Sequence, residues 1–276
     1  MTYVQDGGEM DIIANGVRLS YEEVGAGHPV VCMHGLGLNM NLFRHLVPAL
    51  RQQYRVITYD LRGMGKSEAP GRRGVTHPIE LHIDDLAGLL DALSINHTAI
   101  VAHAFGAFVS TRFAIQRPDR VSAMVVFNTT AMMGEPGTTQ ALNRALSAEL
   151  YGMDEQLDLS MSRWFIESFH REHPEVIQFY REMLRSTPPF GYSASARALT
   201  EFDVRQDLGK IRCPTLVVAG EHDWSTPPEH HEVIAKGIPG ARLVIIENAS
   251  HTVPEEQPEE FNRITLDFLD QTLKPT

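Results

Sequence analysis

Cysteine is scarce, with only Cys32 and Cys213 in 276 residues, each in or beside an apolar run. Two isolated thiols build no disulfide framework and suit a reducing cytoplasm. Long apolar runs are missing as well. None approaches the roughly 18 residues that a membrane-crossing helix needs, which argues against an integral membrane protein. Met1 to Met10 are polar and lack the apolar stretch of a signal peptide. Cations are outnumbered: 24 Lys and Arg against 35 Asp and Glu leave a net charge of −11. Such a chain is a poor partner for nucleic acid or for an anionic membrane. There is no internal repeat and no low-complexity tract. What remains is ordinary globular composition, 43% apolar and 21% charged, which argues against long disorder. The length fits one domain, or one domain with a large insertion.

Strand-like and helix-like runs alternate. Asp11–Ala14 and Arg18–Glu23 read as a hairpin turning at Asn15-Gly16. Pro29–Met33, Tyr54–Tyr59, Thr98–Ala102, Val121–Phe127, Thr215–Ala219 and Arg242–Ile246 read as buried strands. Between them, Leu42–Leu50, Ile79–Leu93, Phe105–Gln116 and Glu259–Leu273 carry helical spacing. The alternation predicts an α/β fold, a mostly parallel sheet of about eight strands flanked by helices. From about Ala131 to Val204 the strand pattern stops, and Met, Trp and Phe recur at helical intervals. Because strands resume afterwards, residues 131–204 are expected to be an inserted helical cap, with 1–130 and 205–276 forming the core.

Ligands of open parallel sheets bind at the carboxyl ends of the strands, so the residues just after each strand carry the chemistry. They are His34-Gly35-Leu36-Gly37, Asp60-Leu61-Arg62-Gly63, Ala102-His103-Ala104-Phe105-Gly106-Ala107, Gly220-Glu221-His222-Asp223 and Asn248-Ala249-Ser250-His251. Three tempting motifs fail. Gly63-Met64-Gly65-Lys66-Ser67 ends like a phosphate loop, but its first glycine would fall at Asp60. Gly35-Leu36-Gly37 lacks the third glycine of a dinucleotide fingerprint. His222, His230 and His231 have no metal-ligand spacing, so neither metal nor organic cofactor is expected.

These strand-end motifs, in this order, resemble the α/β-hydrolase superfamily over nearly the whole chain. The family's elbow is Gly-x-Ser-x-Gly, and its order is nucleophile, acid, histidine. The resemblance implies Asp223 as the acid and His251 as the base. It implies the N–H groups of Leu36 and Phe105 as the oxyanion hole, with the helix start at Phe105 adding a favourable dipole. The departure is Ala104, which holds the nucleophile position without a hydroxyl. No acyl-enzyme can form there, and Ser110 lies about two turns further along the helix. Arg163-Trp164-Phe165, Thr187-Pro188-Pro189-Phe190-Gly191-Tyr192, Pro214–Gly220 and Thr226-Pro227-Pro228 are more specifically similar to 3-oxoadipate enol-lactonases. That likeness implies a small ester or lactone carrying a carboxylate. Arg163 would pair with the carboxylate and Trp164 would cover an apolar part. His34 and His103 are candidate substrate contacts, His34 also ordering the oxyanion loop. Asp60 reads as a loop brace, and Arg62 is undecided.

Alanine at 104 leaves several readings open. It can be a serine-to-alanine change in a lactonase or esterase, giving an impaired or substrate-trapping form. It can belong to a chain that works without the hydroxyl, since aminoacrylate hydrolases of pyrimidine degradation are similar and some carry alanine here. In that case the His251–Asp223 dyad activates water, or acts as the base of a lyase or of a cofactor-free oxygenase. It can also mark a ligand receptor on a hydrolase fold. In each case the expected partner is a small molecule, and the protein a cytoplasmic monomer or homodimer.

Overall fold

The computed structural model describes residues 8–273, so most of the Met1–Met10 stretch read for a leader lies outside the described residues. In chain order the elements begin with β1 (Met10–Ala14), β2 (Val17–Val24), β3 (His28–Met33), α1 (Val47–Leu50), β4 (Tyr54–Tyr59) and α2 (Ile79–Ala92). β5 (Thr98–His103), α3 (Ala104–Gln116) and β6 (Val121–Phe127) follow. Next come α4 (Glu135–Tyr151), α5 (Leu157–Trp164), α6 (Glu167–Glu172), α7 (Pro174–Arg185) and α8 (Pro189–Ala198). The chain closes with β7 (Thr215–Gly220), α9 (Pro228–Gly237), β8 (Arg242–Ile246), α10 (Val253–Glu256) and α11 (Pro258–Leu273).

The strands form one eight-stranded sheet in the order β1-β2-β4-β3-β5-β6-β7-β8. β1 and β2 join antiparallel through Asn15-Gly16, both at positive φ as the hairpin turn requires. β2 also runs antiparallel to β4, and every pairing from β4 to β8 is parallel. Alternation along the central strands divides the core into two layers. Val31, Met33, Ile57, Ile100 and Val126 face the apolar sides of α2 and α3. Val30, Cys32, Val56, Val101 and Val125 face α11. Helices α4–α8 lie between β6 and β7 in the chain and form the cap.

The expected helix over Leu42–Leu50 is not continuous. Pro48 offers no N–H to the carbonyl four residues earlier, and its ring would collide with that carbonyl. The stretch therefore splits into a 3₁₀ turn at Met40–Phe43 and the short α1. The histidine-rich segment after Pro227, which carries no clear apolar stripe, forms α9. Among the described residues, no helix is long and apolar enough to cross a membrane.

Candidate active site

Ala104 sits where β5 turns sharply into α3, with φ of 44°, a left-handed conformation that an L-residue adopts only under local constraint. The turn is tight because α3 starts against the chain that leaves β3. A Cβ on Gly106 would stand 2.6 Å from the Met33 carbonyl oxygen and 2.7 Å from that of His34. The Gly106 N–H donates to the His34 carbonyl at 3.1 Å, fastening elbow and loop together. Leu36 and Phe105 border the same cavity as Ala104. Phe105 is the second residue of α3, so its N–H has no partner within the helix.

His251 follows β8 and also borders this cavity. Its Nδ1 lies 2.7 Å from Asp223 Oδ2, which leaves Nε2 as the nitrogen available for proton transfer. Asp223 is almost fully buried. Burial alone would raise its pKa, but His251 and a set of donors outweigh that and hold it well below the usual carboxylate range. The donors are Thr226 Oγ1 at 2.6 Å, the Ser225 and Thr226 N–H groups at 2.9 and 3.0 Å, and Asn128 Nδ2 at 2.9 Å. Asn128 also donates to the Ser250 carbonyl at 3.0 Å, tying acid and base loops together. Neither Asn128 nor Thr226 was singled out in the sequence as part of the site.

The other named candidates separate clearly. His103 borders the cavity, donates from Nε2 to the His251 carbonyl at 2.8 Å, and packs edge-on against the His251 ring. Burial, followed by the nearby His251, keeps its pKa well below the ordinary value, so it is neutral. His34 is corrected as a substrate contact. It is fully buried, its Nε2 accepts from the Leu61 N–H at 3.0 Å, and its Nδ1 lies 2.8 Å from the Gly35 carbonyl. With both nitrogens engaged it braces the loop after β3 and is not among the residues that border the cavity. Asp60 braces too, accepting from the N–H groups of Met40 and Lys66. Arg62 is settled as half of a buried ion pair with Asp85. Ser110 Oγ is buried and donates to the Ala107 carbonyl. Among the described residues no cluster of histidine, cysteine or acidic side chains could hold a metal. His231 accepts from the Thr129 N–H and contacts the Pro227 carbonyl.

The cavity measures about 530 Å³ and lies between the strand ends and the cap. Trp164 and Arg163 of α5 border it, Arg163 with Nε donating to Ser225 Oγ at 3.0 Å and its guanidinium against the Trp224 ring. Burial, with the nearby Arg144 charge, pushes the Arg163 pKa down to about 10. Arg144 and Arg205 reach the same cavity, and the sequence carried no motif to single them out.

Cap and base loop are strapped together. Thr252 donates to the Trp164 carbonyl from both N and Oγ1, and Ser250 Oγ donates to the Arg163 carbonyl. Glu256 receives the Ile166 N–H at 2.8 Å on one oxygen and the Ser250 N–H at 2.6 Å on the other. The cavity-lining residues Arg163 and Trp164 of α5 therefore rest on the loop that holds His251.

A family model described as alpha/beta hydrolase fold matches residues 28–258. The 3-oxoadipate enol-lactonase 2 of Acinetobacter baylyi is 31% identical over 253 residues, 91% of this chain and 92% of that one. Among solved structures, an enol-lactonase from Burkholderia xenovorans LB400 superposes with a TM-score of 0.90 at 30% identity, covering 94% of this chain and 99% of its own. A malate-bound thermophilic esterase from Thermogutta terrifontis gives 0.91 at 30% identity, covering 97% of this chain and all of that one (100%).

Proposed function

This chain belongs to the alpha/beta hydrolase fold family, and we propose that its cavity takes a small ester or lactone bearing a carboxylate, with Ala104 closing the acyl-enzyme route. The observation that carries the reading is the left-handed elbow at Ala104, opening on the same cavity as a His251 fully supported by Asp223. The enol-lactonase relatives and the malate-bound esterase support the substrate class. With serine at 104, Oγ would attack the carbonyl carbon while His251 Nε2 took its proton. Asp223 would hold the Nδ1 proton, and the N–H groups of Leu36 and Phe105 would receive the oxyanion. His251 would then protonate the leaving oxygen, and water would release the acid by the same steps. Without Oγ the pocket binds its ligand and turnover is impaired.

A second reading is favoured by the completeness of the dyad, which is held by four further donor groups although residue 104 offers no hydroxyl. In it, His251 removes a proton from water, the water oxygen bonds to the carbonyl carbon, and the same proton goes to the leaving oxygen. Cleavage then needs no covalent intermediate.

Rates on activated esters, enol-lactones and acyl amides distinguish the two, measured for the chain itself, Ala104→Ser and His251→Ala. Under the first reading, serine raises turnover by roughly three orders of magnitude or more. Under the second, the alanine form is already active, serine adds little, and His251→Ala abolishes the rate. Tight binding without conversion in all three proteins would sink both readings and leave a receptor.

A further inference from the structure

Many arginines elsewhere in the chain, including buried ones, are paired with carboxylates. Arg62 grips Asp85 in the core and Arg197 of α8 grips Glu149 of α4 within the cap. Even Arg205, which borders the large cavity, is paired with Asp203 at 2.7 Å. Arg144 on α4 and Arg163 on α5 depart from this pattern. Both border the cavity, and among the described residues neither has a carboxylate partner. Arg163 has the Ser225 hydroxyl and the face of Trp224. Arg144 makes no hydrogen bond among the described residues, and its Nε is buried without one. Asp223, which acts favourably on Arg163, is already engaged by His251, Asn128 and Thr226.

Two like charges turned into one half-enclosed cavity repel each other and lose hydration. The effect is visible in Arg163, whose proton is held less firmly because of burial and Arg144. The chain carries 35 acidic residues, yet among the described residues none borders this cavity. A carboxylate has two oxygens and about four lone-pair sites, so it can take the forked donors of two guanidiniums at once. Lysine, a point charge, would not reproduce that fit.

We infer that Arg144 and Arg163 form a two-guanidinium clamp for a ligand carboxylate, and that Arg144 is the specificity-determining residue that makes the pocket prefer charged ligands over neutral ones. The inference rests on the proposed function only in taking this cavity as the substrate pocket. It adds a charge rule. One carboxylate leaves a net positive charge in the clamp, so a diacid binds at least as well as its monoester, and both bind better than the diester. Hydrolysis of an ester that already carries a carboxylate makes a diacid, so product is retained.

The test is calorimetric binding to the intact chain of succinate, glutarate and adipate, each as diacid, monomethyl ester and dimethyl ester. Arg144→Met, Arg144→Lys and Arg163→Met are compared, with circular dichroism and thermal melting to verify folding. The expected result is a preference of roughly tenfold or more for the charged members of at least one skeleton. Arg144→Met should remove most of that preference by weakening the charged members far more than the dimethyl ester, and Arg144→Lys should restore it only in part. Equal binding of charged and neutral members overturns the inference, as does failure of every charged member to bind. A preference that survives Arg144→Met but is lost in Arg163→Met overturns the role of Arg144 and leaves the proposed function standing. If the preference depends on both arginines and no ester is turned over even by Ala104→Ser, the clamp stands and the hydrolase reading fails.

Discussion

Asp223 is surrounded by donors that are far apart in the chain. Asn128 comes from the end of β6, whereas Ser225 and Thr226 come from the acid's own loop. Asn128 adopts φ of 49°, which asparagine tolerates better than most residues. From that position one amide group reaches both Asp223 and the Ser250 carbonyl. Replacing Asn128 with alanine leaves a buried carboxylate and a buried carbonyl each short of a donor, at a cost of about 1–3 kcal/mol. In an Ala104→Ser background, Asn128→Ala should lower kcat, while KM for the same ester changes less, because the proposed carboxylate contacts lie on α4 and α5. An unchanged kcat would show that the acid is adequately held by its own loop. Asp223 and His251 were legible as a pair through the family resemblance that the strand-end motifs carry, and the fold brings them together. Asn128 was not, since asparagine after a strand reads most simply as a turn residue. Arg144 was equally hidden on α4, because sequence spacing does not say which way a helical cation faces.

Element by element, the strands were the clearest part, because continuous Val, Ile and Ala runs are diagnostic of parallel strands covered on both sides. α9 was obscured by its histidines, and Leu42–Leu50 looked helical because its leucines keep the period while Pro48 forbids the continuous form. The cap motif Thr187–Tyr192 has a packing reason that only the folded chain exposes. Gly191 at the start of α8 lies against Gly63 in the loop after β4, and a Cβ on Gly191 would be 2.1 Å from the Gly63 carbonyl oxygen. Neither backbone can yield without moving cap and core apart. Gly191→Ala is therefore expected to destabilise by roughly 2 kcal/mol or more and to weaken binding of charged ligands, measured by urea unfolding and calorimetry. A fully stable variant with unaltered binding would mean that the cap floats on the core at this point.

At the scale of the whole molecule, stability should depend on pH through groups buried away from water. His34, His82 and His231 are pushed down by burial to about 4, 3 and 4. Between those values and the ordinary 6.5 the unfolded chain binds protons that the folded one refuses, so stability rises with pH across that window. Asp60 and Glu256 act in the opposite direction. Burial raises them to about 6 and 7, so their ionisation costs stability as pH climbs through the same range. Three histidines oppose two carboxyls, and each histidine moves at least as far, so the histidines win. Acidification from pH 7 to 4 should lower the unfolding free energy by roughly several kcal/mol, visible as a falling urea midpoint. A flat or rising midpoint would mean that the buried carboxyls dominate.

The strap between cap and base loop limits how this protein can change. Glu256, Thr252 and Ser250 reach for the backbone of Ile166, Trp164 and Arg163, so they are indifferent to the side chains above them but not to the path of the chain. A cap transplanted from a relative would function only if it crossed the base loop at the same height and in the same register. Variation is thereby channelled: the course of α5 is inherited with the base, while the inward face of α4 remains free to explore new ligands.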